Sequence, residues 1–342
     1  MILFRADSSS EIGSGHIMRS LTLANRFKKL NPDIDIHFVC KQLNGHLGSD
    51  ILRNQFSVHW LDHDLNVQSD AEKTLKIVSE LNIKLIIVDH YQLNATWEQF
   101  FFPKYKVLII DDLANRNHTS HFLIDNNFTL NIHKYKNLIN SECITFIGTQ
   151  FSFLRSEFIN LKAAMPAQIL EPKNVLVFFG GTDPTGETFK FVQQNLNANS
   201  GFQFHILFTD ANPDKDRLLS LKSIKNFNFY CSPPSVAQLI SQCQLYIGSG
   251  GTITWERLYL GVTGLVISVA PNQTQIAKDL DSTGVHIYYG EKENIDYASA
   301  SLELKNLANN PNRLQQMRTQ GLHLVQEISD EVLVAILGMP IK

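Results

Sequence analysis

Short apolar runs that recur along the chain, separated by stretches of helical period, limit what this sequence can fold into more than any other feature. Residues 2–4, 34–40, 85–88, 107–110 and 122–124 read as strands. Between several of them lie helix-like segments, over 18–30, 71–81 and 96–102. Strand and helix in alternation is the pattern of βαβ units, which place parallel strands in a sheet covered on both faces. The second half repeats it, with strands at 175–179, 204–208, 227–230, 245–247 and 265–269 and helices near 185–196, 236–241, 252–259 and 274–282. After Asn294 the pattern is helical to the end.

At 342 residues the chain exceeds the size at which a single core usually keeps growing, so two domains are expected. Breaks at Met165-Pro166 and Glu171-Pro172-Lys173 put the join between about 147 and 173, and we take the domains as 1–155 and 156–342. The expected class is α/β, with two doubly wound, Rossmann-like domains facing each other across a cleft. In such folds ligands bind outside the carboxyl ends of the strands. A net charge of −3 argues against a general nucleic-acid binder, which needs a basic field. Cys40, Cys143, Cys231 and Cys243 are widely spaced without a C-x-x-C pair, as expected of reduced thiols in the cytoplasm. The opening apolar run is too short for a signal peptide, and the run over 332–339 is far too short to span a bilayer. A cytoplasmic protein without membrane contact is the expectation.

The stretch from Ile247 to Gln273 carries the strongest chemistry. A buried strand ends in Gly248-Ser249-Gly250-Gly251-Thr252, a helix follows, then a second strand and a polar loop, Pro271-Asn272-Gln273. Glycines let the backbone approach a ligand closely, and the N–H groups opening a helix favour an anion. Glu256, four residues after Thr252, projects on the side of the helix mouth. A carboxylate there repels phosphate and suits a neutral diol such as a ribose. The plainer alternative is a helix start with a surface glutamate. Phe179-Gly180-Gly181-Thr182-Asp183-Pro184 repeats the strand, glycine turn and helix, with Asp183 placed to cap and Gly180 and Gly181 to line a phosphate or sugar.

In the first half, Gly13 and Gly15 permit a sharp turn, and His16 stands at the start of the next helix. A helix N-terminus disfavours imidazolium, so His16 either takes a proton from water or serves only as a hydrogen-bonding residue. Arg19 can hold an anion or pair with a carboxylate such as Asp7. Tyr91, at the end of another strand, orients a water or sugar hydroxyl or merely lines a wall. Asp89, Asp111 and Asp112 read more simply as structural residues than as acids. The histidines of His59-Trp60-Leu61-Asp62-His63-Asp64 and of His118 to His121 lack a ligand set of recognised spacing, so no metal and no cofactor are expected.

With these residues in place, the chain resembles the UDP-sugar hydrolases of pseudaminic acid biosynthesis, which act on UDP-2,4-diacetamido-2,4,6-trideoxy-β-L-altropyranose. The resemblance rests on Arg5-Ala6-Asp7, on residues 12–21, on Val88 to Tyr91, on Ile110 to Ala114 and on residues 148–155. Phe179 to Pro184, Gly250 to Glu256 and Asn272-Gln273 complete it. That family is similar to GT-B glycosyltransferases, notably the N-acetylglucosaminyltransferase of peptidoglycan synthesis. The resemblance implies that the second half holds UDP and the first faces the sugar. It implies a histidine, a tyrosine and an asparagine around the reacting water, which here match His16, Tyr91 and Asn272. Ribose recognition then falls to Glu256, and diphosphate contacts to Ser249, Gly250, Gly251 and Thr252. Gly13, Gly15, Arg19, Gly180, Gly181, Asp183 and Gln273 fill out the expected substrate site. The implied partner is a UDP-linked diacetamido deoxysugar, bound by a monomer. The alternatives are a glycosyltransferase on the same scaffold and a nucleotide-sugar-binding protein without catalysis.

Overall fold

A computed structural model describes residues 1–167, 171–196 and 201–338. The chain forms two units, Met1–Phe153 together with the chain from Glu327 on, and Leu154–Gln326.

The first unit is built on seven parallel strands: β1 (Ile2–Ala6), β2 (Ile36–Lys41), β3 (Ser57–Leu61), β4 (Leu85–Asp89), β5 (Lys106–Ile110), β6 (Phe122–Asp125) and β7 (Ile144–Ile147). Their order is β3-β2-β1-β4-β5-β6-β7. Every residue of β1 and β4 is buried, because helices cover both faces of the sheet. Phe4, Phe27 and Phe38 fill one face, and Leu3, Ile86, Trp97 and Phe101 the other. The order reverses between β1 and β4, where Ala6 lies opposite Asp89. The loops that begin at Asp7 and His90 therefore start side by side, at the point where doubly wound sheets open to ligands.

The second unit repeats the design with β8 (Asn174–Phe178), β9 (Gln203–Phe208), β10 (Phe227–Cys231), β11 (Leu245–Ser249), β12 (Thr263–Ser268) and β13 (Ile287–Glu291), ordered β10-β9-β8-β11-β12-β13. Its reversal falls between β8 and β11, where Gly248 pairs with Phe178. The two glycine turns thus leave adjacent strand ends.

Three strands lie outside those expected from the sequence: β3, β7 and β13. Each lies at an edge of its sheet. An edge strand is covered less completely, so Ser57-Val58-His59-Trp60-Leu61 and Ile287-Tyr288-Tyr289-Gly290-Glu291 carry polar residues where a central strand would be apolar.

The expectation of one domain from 156 to the end is corrected at Glu327. The helix Asp330–Leu337 buries Leu333 and Ile336 completely in the first unit's core, beside Phe27, Phe153 and Ile328. Ile328 donates its N–H to the Ser152 carbonyl at 3.1 Å. Arg26 pairs with Glu327 and Asp330, and Ser329 caps the helix by accepting from the Val332 N–H. Residues 339–342 of the expected tail lie outside the described residues.

No helix among the described residues is long and apolar enough to cross a membrane. Cys40 and Cys243 are buried, Cys143 and Cys231 partly so, and all four are free thiols.

Candidate active site

A buried ion network fixes the loops at the first unit's switch point. The Arg5 guanidinium lies between two carboxylates, with Nη1 to Asp7 Oδ1 at 2.7 Å and Nη2 to Asp70 Oδ2 at 2.7 Å. Trp97 Nε1 donates to Asp70 Oδ1 at 2.8 Å, and the Lys41 N–H donates to Asp7 Oδ1 at 2.7 Å. His90 Nδ1 accepts from the Gln92 N–H at 3.0 Å, so the ring proton sits on Nε2, which donates to Asp7 Oδ2 at 3.1 Å. Burial alone would raise the Asp7 carboxyl, but Arg5 and His90 outweigh it and hold it well below the usual carboxylate range.

On this base stand His16 and Tyr91. Gly13, at φ +85°, turns the chain back after Ser9, a conformation a Cβ would strain. Gly15 opens the helix Gly15–Leu30, and His16 is its second residue. The His16 ring is 7% exposed and lies edge-on to Tyr91, with centroids 4.4 Å apart. Its Nδ1 is buried and has no hydrogen-bond partner. Burial lowers the His16 pKa from its ordinary value; Asp89 pulls it up, Arg19 and His90 push it down, and Asp112 raises it. A neutral imidazole with a free ring nitrogen is a base waiting for a proton donor.

Arg19 does not meet Asp7, whose oxygens are taken. It forms a bidentate pair with Asp89 at 2.7 and 2.6 Å and reaches Asp112 at 3.1 Å. Its guanidinium is committed to carboxylates, which makes Arg19 a brace for the site. Tyr91 donates its hydroxyl to Asp112 Oδ2 at 3.3 Å. Burial would raise the Asp112 carboxyl, but Arg19, His16 and Tyr91 hold it below its ordinary range. Asp111 accepts from the Ala114 N–H at 2.9 Å and pairs with Arg116 at 2.7 Å, a structural role.

In the second unit the turn from Ser249 to Thr252 follows β11 directly. Gly248 admits it: a Cβ there would lie 2.0 Å from the Phe178 carbonyl and 2.6 Å from the Tyr246 hydroxyl. That hydroxyl donates to the Ser249 carbonyl at 2.7 Å and lies 2.9 Å from the Phe178 carbonyl, so Tyr246 props the turn from below. Gln273 lies against the same turn, with its Nε2 3.8 Å from where a Cβ on Gly251 would be. Its Oε1 accepts from the Val269 N–H at 3.2 Å. Pro271-Asn272-Gln273 is not the expected loop. Pro271 occupies the first position of the helix Pro271–Ser282, as its fixed φ favours, and Asn272 stands exposed in the first turn.

Glu256 is 5% exposed and already engaged: Arg155 holds it bidentately at 2.6 and 2.9 Å. Arg155 also pairs with Glu157 at 3.0 Å and lies over the Phe158 ring. A carboxylate oxygen has two lone pairs, so each oxygen of Glu256 keeps one to accept a hydroxyl. Gly180 and Gly181 follow β8 as expected, and the Gly181 carbonyl accepts from the Thr209 hydroxyl at 2.6 Å. Both Asp183 oxygens are taken by the N–H groups of Glu187 and Thr188, at 3.0 and 2.8 Å, so its carboxylate serves as a helix cap.

In the first unit Asp89 and Asp112 hold Arg19, and in the second Arg155 holds Glu256, partners that the sequence does not assign to them. Each acts on a partner 70 to 101 residues away, and such pairs leave no local signature. Three of the four histidines in the two metal-like stretches have other partners. His59 lies 3.1 Å from His37, His118 meets Glu98 at 2.7 Å, and His121 accepts from the Val107 N–H at 3.2 Å. No group of three metal-ligating side chains occurs among the described residues.

The two sheets and their switch points are those of the GT-B glycosyltransferase fold. The crystal structure of MurG from Acinetobacter baumannii matches with a TM-score of 0.65 at 13% identity, covering 99% of each chain. In sequence, the chain resembles the UDP-2,4-diacetamido-2,4,6-trideoxy-β-L-altropyranose hydrolase of Campylobacter jejuni, at 25% identity over 84% of this chain and 98% of that protein. An uncharacterized protein of Methanocaldococcus jannaschii is 28% identical over 76% of this chain, which spans about half (54%) of that protein's length. No protein-family model matches the chain.

Proposed function

We propose that this chain is a UDP-sugar hydrolase that converts UDP-2,4-diacetamido-2,4,6-trideoxy-β-L-altropyranose to UDP and the free sugar. The observation that carries the reading is His16, a neutral buried imidazole with an unpartnered Nδ1, braced at the mouth of a doubly wound sheet. The likeness to the Campylobacter jejuni hydrolase supports the substrate.

In this reading the second unit binds UDP. The Ser249–Thr252 turn, with Gln273, Gly180 and Gly181, holds the diphosphate, and Glu256 accepts from the ribose hydroxyls. The first unit serves the sugar. A water gives its proton to His16 as its oxygen bonds to the anomeric carbon, on the face opposite UDP. The bond from that carbon to the diphosphate oxygen breaks, its electron pair leaves with UDP, and the configuration inverts. Tyr91 and Asn272 orient the water. A diphosphate is a good leaving group, so the site needs donors for its charge more than an acid to protonate it, and neither a metal nor a cofactor enters the scheme. Arg19 and Asp112 hold Tyr91 and the His16 loop in place. We further read the protein as a cytoplasmic monomer.

The fold favours one rival, a glycosyltransferase in which an acceptor hydroxyl replaces water. Incubation with the UDP-linked sugar and no acceptor distinguishes them, with UDP release and anomeric configuration followed by NMR. Stoichiometric free sugar of inverted configuration is expected. Turnover only on addition of an acceptor would overturn the hydrolase reading, and binding without turnover would make the protein a sensor.

A further inference from the structure

Two buried arginines of this protein are matched by carboxylates, Arg5 by Asp7 and Asp70 and Arg19 by Asp89 and Asp112, as is the partly exposed Arg155 by Glu157 and Glu256. Arg257 is not. It is fully buried, its Nη1 donates to the Val262 carbonyl at 3.0 Å, and its Nη2 meets His286 Nδ1 at 3.1 Å. Its Nε has no partner. His286 Nε2 donates to the Ala277 carbonyl at 2.9 Å, so Nδ1 offers a lone pair and the ring is neutral. Burial, with Arg257 beside it, pushes the His286 pKa down to about 3. Arg257, brought down by burial to about 10, keeps its charge at neutral pH. Arg318 also lacks a carboxylate, but it donates to the Gly261 and Pro166 carbonyls rather than reaching toward the turn.

The Arg257 guanidinium stands 4.6 Å from the centroid of the Tyr246 ring, and the hydroxyl of that ring bonds the Ser249 carbonyl at 2.7 Å. One aromatic ring therefore separates an unneutralised buried cation from the turn assigned to the diphosphate. An isolated buried charge is costly unless something compensates it. Within this unit the turn is where an anionic ligand would do so.

We propose that Arg257 is the remote counter-charge for the ligand's diphosphate. It touches no ligand atom. Its field, acting across the Tyr246 ring, makes the Ser249–Thr252 turn select anionic nucleotides over nucleosides. Arg257 is a positioning residue in the electrostatic sense, and the proposal rests on the reading that this turn binds the diphosphate. Over a separation on the order of 10 Å in protein, one such charge changes anion affinity about tenfold or more.

The test is calorimetry of UDP and, by displacement, uridine on the full chain. Arg257→Met keeps the bulk and loses the charge, Arg257→Lys keeps the charge, and His286→Glu leaves Arg257 in place but gives it a carboxylate. We expect UDP affinity to fall about tenfold or more in Arg257→Met and His286→Glu, with uridine affinity within about twofold of wild type and Arg257→Lys retaining the preference. His286→Glu supplies the answer if Arg257→Met does not fold. An unchanged ratio of UDP to uridine affinity in the folded variants, or a parallel loss of both, overturns the proposal. Wild-type protein with no preference for UDP over uridine instead removes the diphosphate reading of the turn itself.

Discussion

Replacing His16 with alanine separates chemistry from folding unusually well. The ring loses an edge-to-face contact with Tyr91, worth about 0.5–1.5 kcal/mol. The same change deletes a buried Nδ1 that lacks a partner, which relieves about 1–3 kcal/mol. These terms oppose each other and nearly cancel, so the melting temperature should move by no more than about 4 °C. The rate should fall by about 10²–10⁴, the usual contribution of a general base, which is roughly 3–5 kcal/mol of barrier. UDP affinity should stay at the wild-type value, because the nucleotide is assigned to the other unit. The pH profile sharpens the test. His16 works as the neutral base and its pKa is lowered by burial, so wild-type kcat/KM should rise with pH along a limb centred below about 6.5. That limb should vanish in the variant. The assay is initial-rate UDP release from the diacetamido sugar nucleotide across pH, with calorimetry for UDP. A variant that turns over near the wild-type rate, keeps the acid limb, or loses UDP binding refutes the reasoning.

Arg155→Ala should leave Glu256 buried without its bidentate partner, costing about 1.5–3 kcal/mol of stability and weakening UDP binding together; a stable variant with unchanged UDP affinity would remove both roles. Leu333→Ala should destabilise the first unit by about 2–5 kcal/mol, read as a lower denaturant midpoint with unchanged slope, since Leu333 is fully buried there. A change under about 1 kcal/mol would mean that the terminal helix is not part of that core.

The central strands could be read from the chain because burial on both faces leaves a continuous apolar run, as in Leu85-Ile86-Ile87-Val88. The edge strands β3 and β13 could not, since half their surface answers to water. The glycine turns and His16 were legible because backbone freedom and a titratable ring are local properties. What those residues rest on was not. Arg19 finds Asp89 and Asp112, and Arg155 finds Glu256, only after the sheets bring distant strand ends together. Asp183, ahead of its helix, reads as a cap from the residues alone, and its oxygens are used by that helix. Pro271 was misleading. Proline signals a break, but here it begins a helix.

The return of residues from Glu327 onward to the first unit has a consequence for synthesis. The amino-terminal half leaves the ribosome first but lacks Ile328, Leu333 and Ile336 from its interior. Translation of 154–326 must intervene, a delay of about 9–35 s at ordinary elongation rates. During that interval the nascent half exposes an apolar gap beside Phe27 and Phe153, a natural place for a chaperone to hold it, while the half made second can close on its own.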